Sequence, residues 1–330
     1  MVKRQLLYKE WKQSELTFIL VILVAVIATP LSLFMGYSTF QDCLKSQVCI
    51  SDTTTFTYMV KSDTFLSLSW IIGIFFAVIQ LGSERNKGHM DFTLSLPFSR
   101  SNIFHTKLFL GAGIIAGVHV ASYLIIYLLK LGLQPIDTPG LNSSYFYALV
   151  SSLMIYSLFF AAGTLTGSAI AQAIVGLSTS ILPILAIWLP IVHLDFIIRT
   201  SGSWVDESFN YLISPISPIT YITNDYFQQD YQHYQHWFNG ENIIIPVIMT
   251  FIFYLVGLFS FAKHPSERNG RFFLFSAMDR PIQIMVIVFG VLGFGWAGFS
   301  SDSLLGYIVG MIIGGVVGAL TSYFLIYRKR

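Results

Sequence analysis

Eight apolar runs constrain the fold of this chain more than any other feature. A helix needs about 20 residues to cross the hydrocarbon core of a bilayer. Because a backbone in lipid must satisfy its own hydrogen bonds, each such run is expected to be an α-helix. The sequence therefore predicts an all-α, polytopic membrane helical bundle with about eight transmembrane helices. The runs occupy residues 16–36, 64–82, 107–130, 144–168, 172–192, 243–262, 281–299 and 304–327.

The charge content agrees with this class of protein. Charged residues make up 11% of the chain, against about 25% in soluble domains. The net charge of +2 gives no reason to expect nucleic-acid binding. No small-residue cleavage site follows the first run, so we expect that run to remain as a membrane helix. If the N-terminus is cytoplasmic, most Lys and Arg residues fall on inner segments, which predicts that both termini are cytoplasmic.

The most informative polar stretch is 82–107, a predicted loop between the second and third runs. Glu84 and Arg85 open it, and Gly88 allows a turn at little steric cost. Pro97 ends whatever local structure precedes it, because proline lacks an amide donor. Apolar side chains alternate between these points, at Met90, Phe92, Leu94 and Leu96.

The end of this stretch has the features of a helix start. Ser99 and Ser101 are both suited to cap a helix, and Arg100 and Lys107 bracket its beginning. The whole pattern resembles the cytoplasmic coupling element of permeases of the type-2 ABC transporter superfamily. An ordinary basic loop that orients a helical hairpin is the alternative. The matching residues are Glu84, Arg85, Gly88, Leu94, Pro97, Ser99, Arg100 and Lys107, with His89 where the family usually has Thr.

The resemblance implies that these residues, with Met90 and Phe92, couple the chain to an ATPase. Met90, Phe92 and Leu94 would fill an apolar groove on that ATPase, while Glu84 and Arg85 pair with polar groups at the membrane edge. It further implies a non-catalytic subunit surrounded by membrane lipid. Its partners would be two ATPase subunits, which bind ATP and Mg, and a second permease that is identical or closely related.

The LLYKEWKQ start and the ERNKG and SERNG segments look most like the Ytr-type permeases of Gram-positive bacteria. Those belong to an operon that also encodes separate ATPases and is linked to acetoin utilisation. The resemblance implies a bacterial cell membrane location. It leaves two candidate substrates: acetoin, or a cell-envelope component, lipid or peptide, because the superfamily more often exports.

The resemblance also divides the chain into three parts. Residues 1–15 are similar to the family's interfacial elbow helix, with a basic tail that only enforces orientation as the alternative. Residues 16–262 are expected to form a six-helix core that includes the coupling loop and an outer segment, 193–242. Residues 263–330 comprise a cytoplasmic loop and two additional membrane helices.

Two smaller patterns leave alternatives open. Cys43 and Cys49 in the first outer loop either form a disulfide on an oxidising face or remain free thiols. In the last run, small residues at every fourth position predict close helix packing within the bundle or, alternatively, a dimer interface. These residues are Gly306, Gly310, Gly314 and Gly318. His233 and His236 are three residues apart, but no Cys or carboxylate stands at a spacing that would complete a metal site, so none is expected.

No phosphate-loop motif occurs, which excludes ATP hydrolysis by that route. Of all Asp, Glu, Lys, Arg and His residues, only His119 lies inside an apolar run, and we expect it to be hydrogen-bonded to a neighbour. Ion-coupled transport usually depends on charged residues within the membrane, so the energy is expected to come from a partner ATPase. The alternatives are a polytopic membrane enzyme and a sensory or structural membrane protein without an ATPase.

Overall fold

The computed structural model describes most of the chain, and nearly all of the described part is helical. Eight helices in this part are long and apolar enough to cross a membrane. The prediction of a polytopic helical bundle is therefore confirmed. The described residues are 4–46, 55–58, 60, 63–133, 136–198, 214–221, 243–264, 268, 270–299 and 303–327.

The long helices agree closely with the predicted runs, apart from extensions by polar residues. We number the α-helices α1 (Arg4–Ser46), α2 (Thr64–Ser67), α3 (Trp70–Ala77), α4 (Glu84–Asn86), α5 (His89–Ser95), α6 (Arg100–Gly132), α7 (Leu141–Leu165), α8 (Ala169–Ile198), α9 (Ile244–Ala262), α10 (Asp279–Phe299) and α11 (Leu304–Ile326). A π-helical turn, Val78–Ser83, joins α3 to α4, so the second span is a stack of short pieces. Short 3₁₀ turns occur at Ser214–Ile216, Pro218–Tyr221 and Ser276–Met278.

The N-terminal helix has two parts. Its backbone leaves helical geometry at Ser14, where φ is −131° and ψ is 18°. This break lies beside the predicted boundary between the elbow, 1–15, and the first span. Leu6 is buried, so the short arm packs against the protein. Its position in the membrane interface stays a prediction.

The described chain divides into two compact units. The first unit contains Met1–Gln80, Pro97–Phe160 and Tyr221–Leu258, and the second contains Leu81–Leu96, Ala161–Thr220 and Phe259–Arg330. Each unit therefore collects helices that are far apart in sequence.

In the first unit, the loop after the first span is joined to the loop after the third. Two short strands, β1 (Phe56–Thr57) and β2 (Ile136–Asp137), pair in parallel. Next to β1, Tyr58 donates a hydrogen bond to the Asp63 carboxylate, and burial together with this bond raises the pKa of the Tyr58 hydroxyl. An apolar cluster lies beneath the strands, formed by Leu33, Tyr58, Val60, Leu66, Ile126, Leu141, Tyr145 and Ala148.

In the second unit, the last two helices pack closely along their glycines. A Cβ atom built on Gly290 of α10 would lie 2.6 Å from the carbonyl oxygen of Gly314 of α11. A Cβ on Gly318 would lie 3.0 Å from the backbone of Ile287. The glycine stripe is therefore used for packing within the bundle.

Some predictions fall outside the described residues. They concern Cys49, His233, His236 and most of 193–242. Cys43 lies near the end of α1. Because Cys49 lies outside the described residues, the Cys43–Cys49 disulfide stays a prediction.

We predict that Gly314→Leu lowers the stability of the detergent-solubilised protein by about 1–3 kcal/mol, because its side chain has no space against the backbone of Gly290. Thermal unfolding followed by circular dichroism measures this effect. Gly293→Leu is the matched control, since a Cβ at Gly293 meets no atom within 4 Å. Equal destabilisation by both substitutions would contradict the packing role.

Candidate functional site

The stretch 82–107 is largely helical, which corrects the expectation of a loop. Gly88 has a φ of 71°, a left-handed conformation that glycine adopts without steric cost. This turn separates α4 from α5. After α5, the exposed Pro97 precedes Ser99, whose side chain caps α6 by accepting a hydrogen bond from the Asn102 amide at 3.3 Å.

A buried hydrogen bond fixes α5 to the end of the second span. The Thr93 hydroxyl donates to Glu84 Oε1 at 2.6 Å, and it also lies 3.0 Å from the His89 carbonyl. Thr93 and Glu84 are both almost completely buried. Because a charge-assisted bond away from water is among the stronger hydrogen bonds, α5 is held firmly against α4.

The neighbouring residue, Arg85, holds the end of the fourth span. Its guanidinium is buried and donates to the backbone carbonyls of Gly163 and Thr166. The last carbonyls of a helix have no partner within the helix, and a cation at that end is favoured by the helix dipole. Arg85 therefore acts as a side-chain cap on α7. Asn86 reaches the next helix, since the Ala169 amide lies 3.4 Å from Asn86 Oδ1.

The turn after α7 is also tied to the loop that precedes α10. The Gly270 amide donates to the Gly167 carbonyl at 3.0 Å, and the Leu274 amide donates to the Leu165 carbonyl at 2.9 Å. A Cβ on Gly167 would lie 2.9 Å from the Arg271 nitrogen, so this close approach requires glycine. These contacts tie the turn after α7 to both α4 and the loop before α10 within the second unit.

The outward side of α5 has mixed chemistry. Phe92 is 64% exposed, Asp91 is exposed, and Leu94 is half-buried. Met90 is only 1% exposed. The expectation that Met90 fills a groove on a partner is therefore corrected, because its side chain packs inside the protein. Phe92 supplies most of the apolar surface of α5.

Lys107 also differs from its predicted role. It is 1% exposed, and its ammonium lies 2.5 Å from the carboxylate of Glu10 on the N-terminal arm of α1. Glu10 is 5% exposed. The side chain therefore closes a buried ion pair in the first unit and is not available at the surface for a partner ATPase.

A polar network surrounds this ion pair. Gln80 Nε2 donates to the Lys107 carbonyl at 3.1 Å, and the Tyr156 hydroxyl donates to Gln80 Oε1 at 2.7 Å. Gly111 allows this arrangement, since a Cβ there would lie 2.5 Å from Cζ of the Tyr156 ring. The network joins the N-terminal arm to the second, third and fourth spans.

His119 has the hydrogen-bonded environment that was predicted. Its Nδ1 lies 2.9 Å from the Ile115 carbonyl, and its Nε2 lies 3.4 Å from the Ser152 hydroxyl. Since a carbonyl oxygen only accepts, the proton of the neutral ring is on Nδ1.

Sequence reasoning missed four of these residues. Thr93, Gln80, Tyr156 and Glu10 carry the buried polar contacts, and no role was predicted for any of them, although Glu10 lies within the LLYKEWKQ start. Gln80 gave a usable signal, because a polar amide near the end of an apolar run requires a buried partner.

We predict that Glu10→Met alone lowers stability by about 3–5 kcal/mol, because it leaves the buried Lys107 ammonium without a carboxylate. Lys107→Met alone should cost less, since Lys9 Nζ, 3.1 Å from Glu10 Oε1, still pairs with that carboxylate. The double substitution is expected to recover most of this loss. Thermal unfolding in detergent measures all three variants. Strictly additive losses would contradict direct pairing of the two side chains.

With this geometry established, comparison with known proteins identifies the family. The profile described as "ABC-2 family transporter protein" matches residues 8–265. The chain is 37% identical to "Probable ABC transporter permease YtrD" of Bacillus subtilis (strain 168) over 98% of this chain and 97% of that protein. It is 41% identical to "Probable ABC transporter permease YtrC" of the same organism, over 100% and 99%. No solved structure matches the chain significantly.

The profile match ends before α10 and α11, whereas the matches to both relatives cover nearly the whole chain. The profile covers more than half of the chain, and both relatives exceed 30% identity over nearly its whole length. The chain therefore belongs to the ABC-2 transporter family, as a multi-pass membrane permease.

Proposed function

We propose that separate ATPase subunits drive this permease and that α5 is the element they contact. The observation that carries the proposal is the exposed Phe92 on a short helix held by the buried Thr93–Glu84 hydrogen bond. An exposed aromatic residue on a fixed helix is a suitable anchor for a protein partner. Arg100, which is also exposed, adds a positive charge at the start of α6.

The hydrogen bonds behind α5 support a mechanical role. Force applied to α5 passes through Thr93 to Glu84, and the adjacent Arg85 carries it to the carbonyl end of α7. The turn at Gly167 carries it further to the loop before α10. A displacement of α5 therefore moves the second unit as a body instead of bending a flexible loop.

Under this proposal, ATP and Mg bind two partner ATPase subunits and no cofactor binds this chain. A second permease, identical or closely related, completes the membrane assembly. ATP binding brings the ATPases together and displaces α5, which shifts the permease between inward- and outward-facing states. Both termini and the coupling element face the cytoplasm of a bacterium.

The substrate belongs to the proposal as well. Acetoin is one candidate, and an exported envelope component, lipid or peptide is the other.

The 1–15 arm lies in the membrane interface, 16–262 forms the core, and 263–330 adds the last two helices.

We predict that Phe92→Ala and Arg100→Glu each weaken ATPase binding while leaving membrane insertion intact. Loss of an interface anchor typically costs about 2 kcal/mol or more, so the affinity should fall by at least about tenfold. Pull-down of the ATPase from solubilised membranes measures the effect. Phe109→Ala and Lys45→Glu are matched controls, since Phe109 and Lys45 are exposed elsewhere. Unchanged assembly in both test variants would remove the coupling assignment.

A second substitution separates binding from force transmission. Thr93→Val keeps the shape of the side chain but removes the hydrogen bond to Glu84. We expect the ATPase to remain bound, while ATP hydrolysis in the assembled complex becomes less sensitive to the permease. Reconstituted ATPase activity, compared with and without the variant permease, measures this. If the variant stimulates hydrolysis as the unmodified chain does, the mechanical path does not run through Thr93.

A further inference from the structure

The first unit contains an open cavity that is lined by none of the residues proposed for coupling. Its volume is about 440 Å³, within the range of about 300–1,000 Å³ common for small-molecule sites. Its walls come from the first four spans, and most of its lining is apolar. None of its described lining residues is Asp, Glu, Lys or Arg.

One side of the cavity is polar and neutral. The polar lining residues are Thr29, Ser69, His119, Ser122 and Tyr145. The hydroxyl groups of Ser122 and Tyr145 form a hydrogen bond with each other at 2.9 Å. In contrast, Ser69 and His119 each meet Ser152 at longer distances, 3.3 Å and 3.4 Å, whereas ordinary hydrogen bonds between oxygen and nitrogen atoms fall at about 2.5–3.2 Å. These two side chains therefore have hydrogen-bonding capacity left for another molecule.

The cavity is closed at one end and open to the side. Leu66 and Tyr145 belong both to its wall and to the apolar cluster beneath β1 and β2. On the open side, Val24 is 70% exposed and Phe65 is 52% exposed. Since both residues are on membrane-spanning helices, a molecule dissolved in the bilayer can enter without crossing an aqueous phase.

We propose that this cavity binds a neutral amphiphile, with its aliphatic chain against the apolar wall and one hydroxyl group at Ser69 and His119. The described lining residues offer no counter-ion for a carboxylate or an ammonium, and burial of an unpaired charge is costly. A pure alkane would leave the two polar side chains without an added partner. Transported cargo and a resident bilayer lipid share this chemistry.

Photolabelling of the full chain in lipid nanodiscs tests the proposal without any ATPase. Hexadecanol, hexadecane and hexadecanoate are used as probes, each with the same diazirine group on the chain. We expect hexadecanol to label peptides from 20–29 and 65–75 and to do so about three- to tenfold more than hexadecane, since one net hydrogen bond is gained. Hexadecanoate should label least, and unlabelled hexadecanol should compete.

Two variants localise the binding. Ala28→Trp fills the cavity and should remove most of the hexadecanol labelling, whereas Ile27→Trp on the same helix, outside the lining, should leave it unchanged. If Ala28→Trp does not elute as a single species, Ala25→Phe replaces it. His119→Phe should reduce hexadecanol labelling to the level of hexadecane.

Equal labelling by the three probes, labelling only outside these peptides, or insensitivity to the filling variant would overturn the proposal. Absence of labelling, as expected if a second permease covers the opening, would overturn it too. Addition of ATP to a complex with the partner ATPase distinguishes the two sources of ligand. Transported cargo leaves the site on turnover, while a resident lipid stays.

Discussion

The contacts of Arg85 are the interaction on which the rest of the proposed mechanism depends. This buried guanidinium at the end of the second span satisfies the carbonyls of Gly163 and Thr166 at the end of the fourth. Leaving those carbonyls unpaired in a poorly hydrated site would cost free energy for each group. The same residue lies next to Glu84, which holds α5. One dipeptide therefore connects a surface helix to the membrane bundle.

The membrane-spanning helices could be predicted closely from the sequence, because hydrophobic length is a local property. The run 304–327 corresponds to α11, Leu304–Ile326. The third run, 107–130, marks only the apolar part of α6, which begins at Arg100 with a polar first turn. Hydropathy marks the part of a helix that lies in lipid, whereas capping by Ser99 determines where the helix starts.

The location of the candidate site stays a prediction, and the roles of its residues depend on distant partners. Lys107 resembled a surface charge until its partner Glu10, 97 positions earlier, was known. Met90 and Phe92 are both apolar, and only the fold shows that the first is buried and the second exposed. Seven residues, the length of α5, are too few for a periodic pattern to distinguish a helix from a strand. Burial and pairing are properties of the packed structure, which is why local patterns did not predict them.

The measurement that tests the central claim most directly is affinity purification of the chain from its native membranes in mild detergent, followed by mass spectrometry of the proteins recovered with it. The account predicts a stoichiometric ATPase that carries a phosphate loop, together with a second permease or only this chain. Recovery of the permease without any ATPase, also after cross-linking through 82–107, would contradict the account.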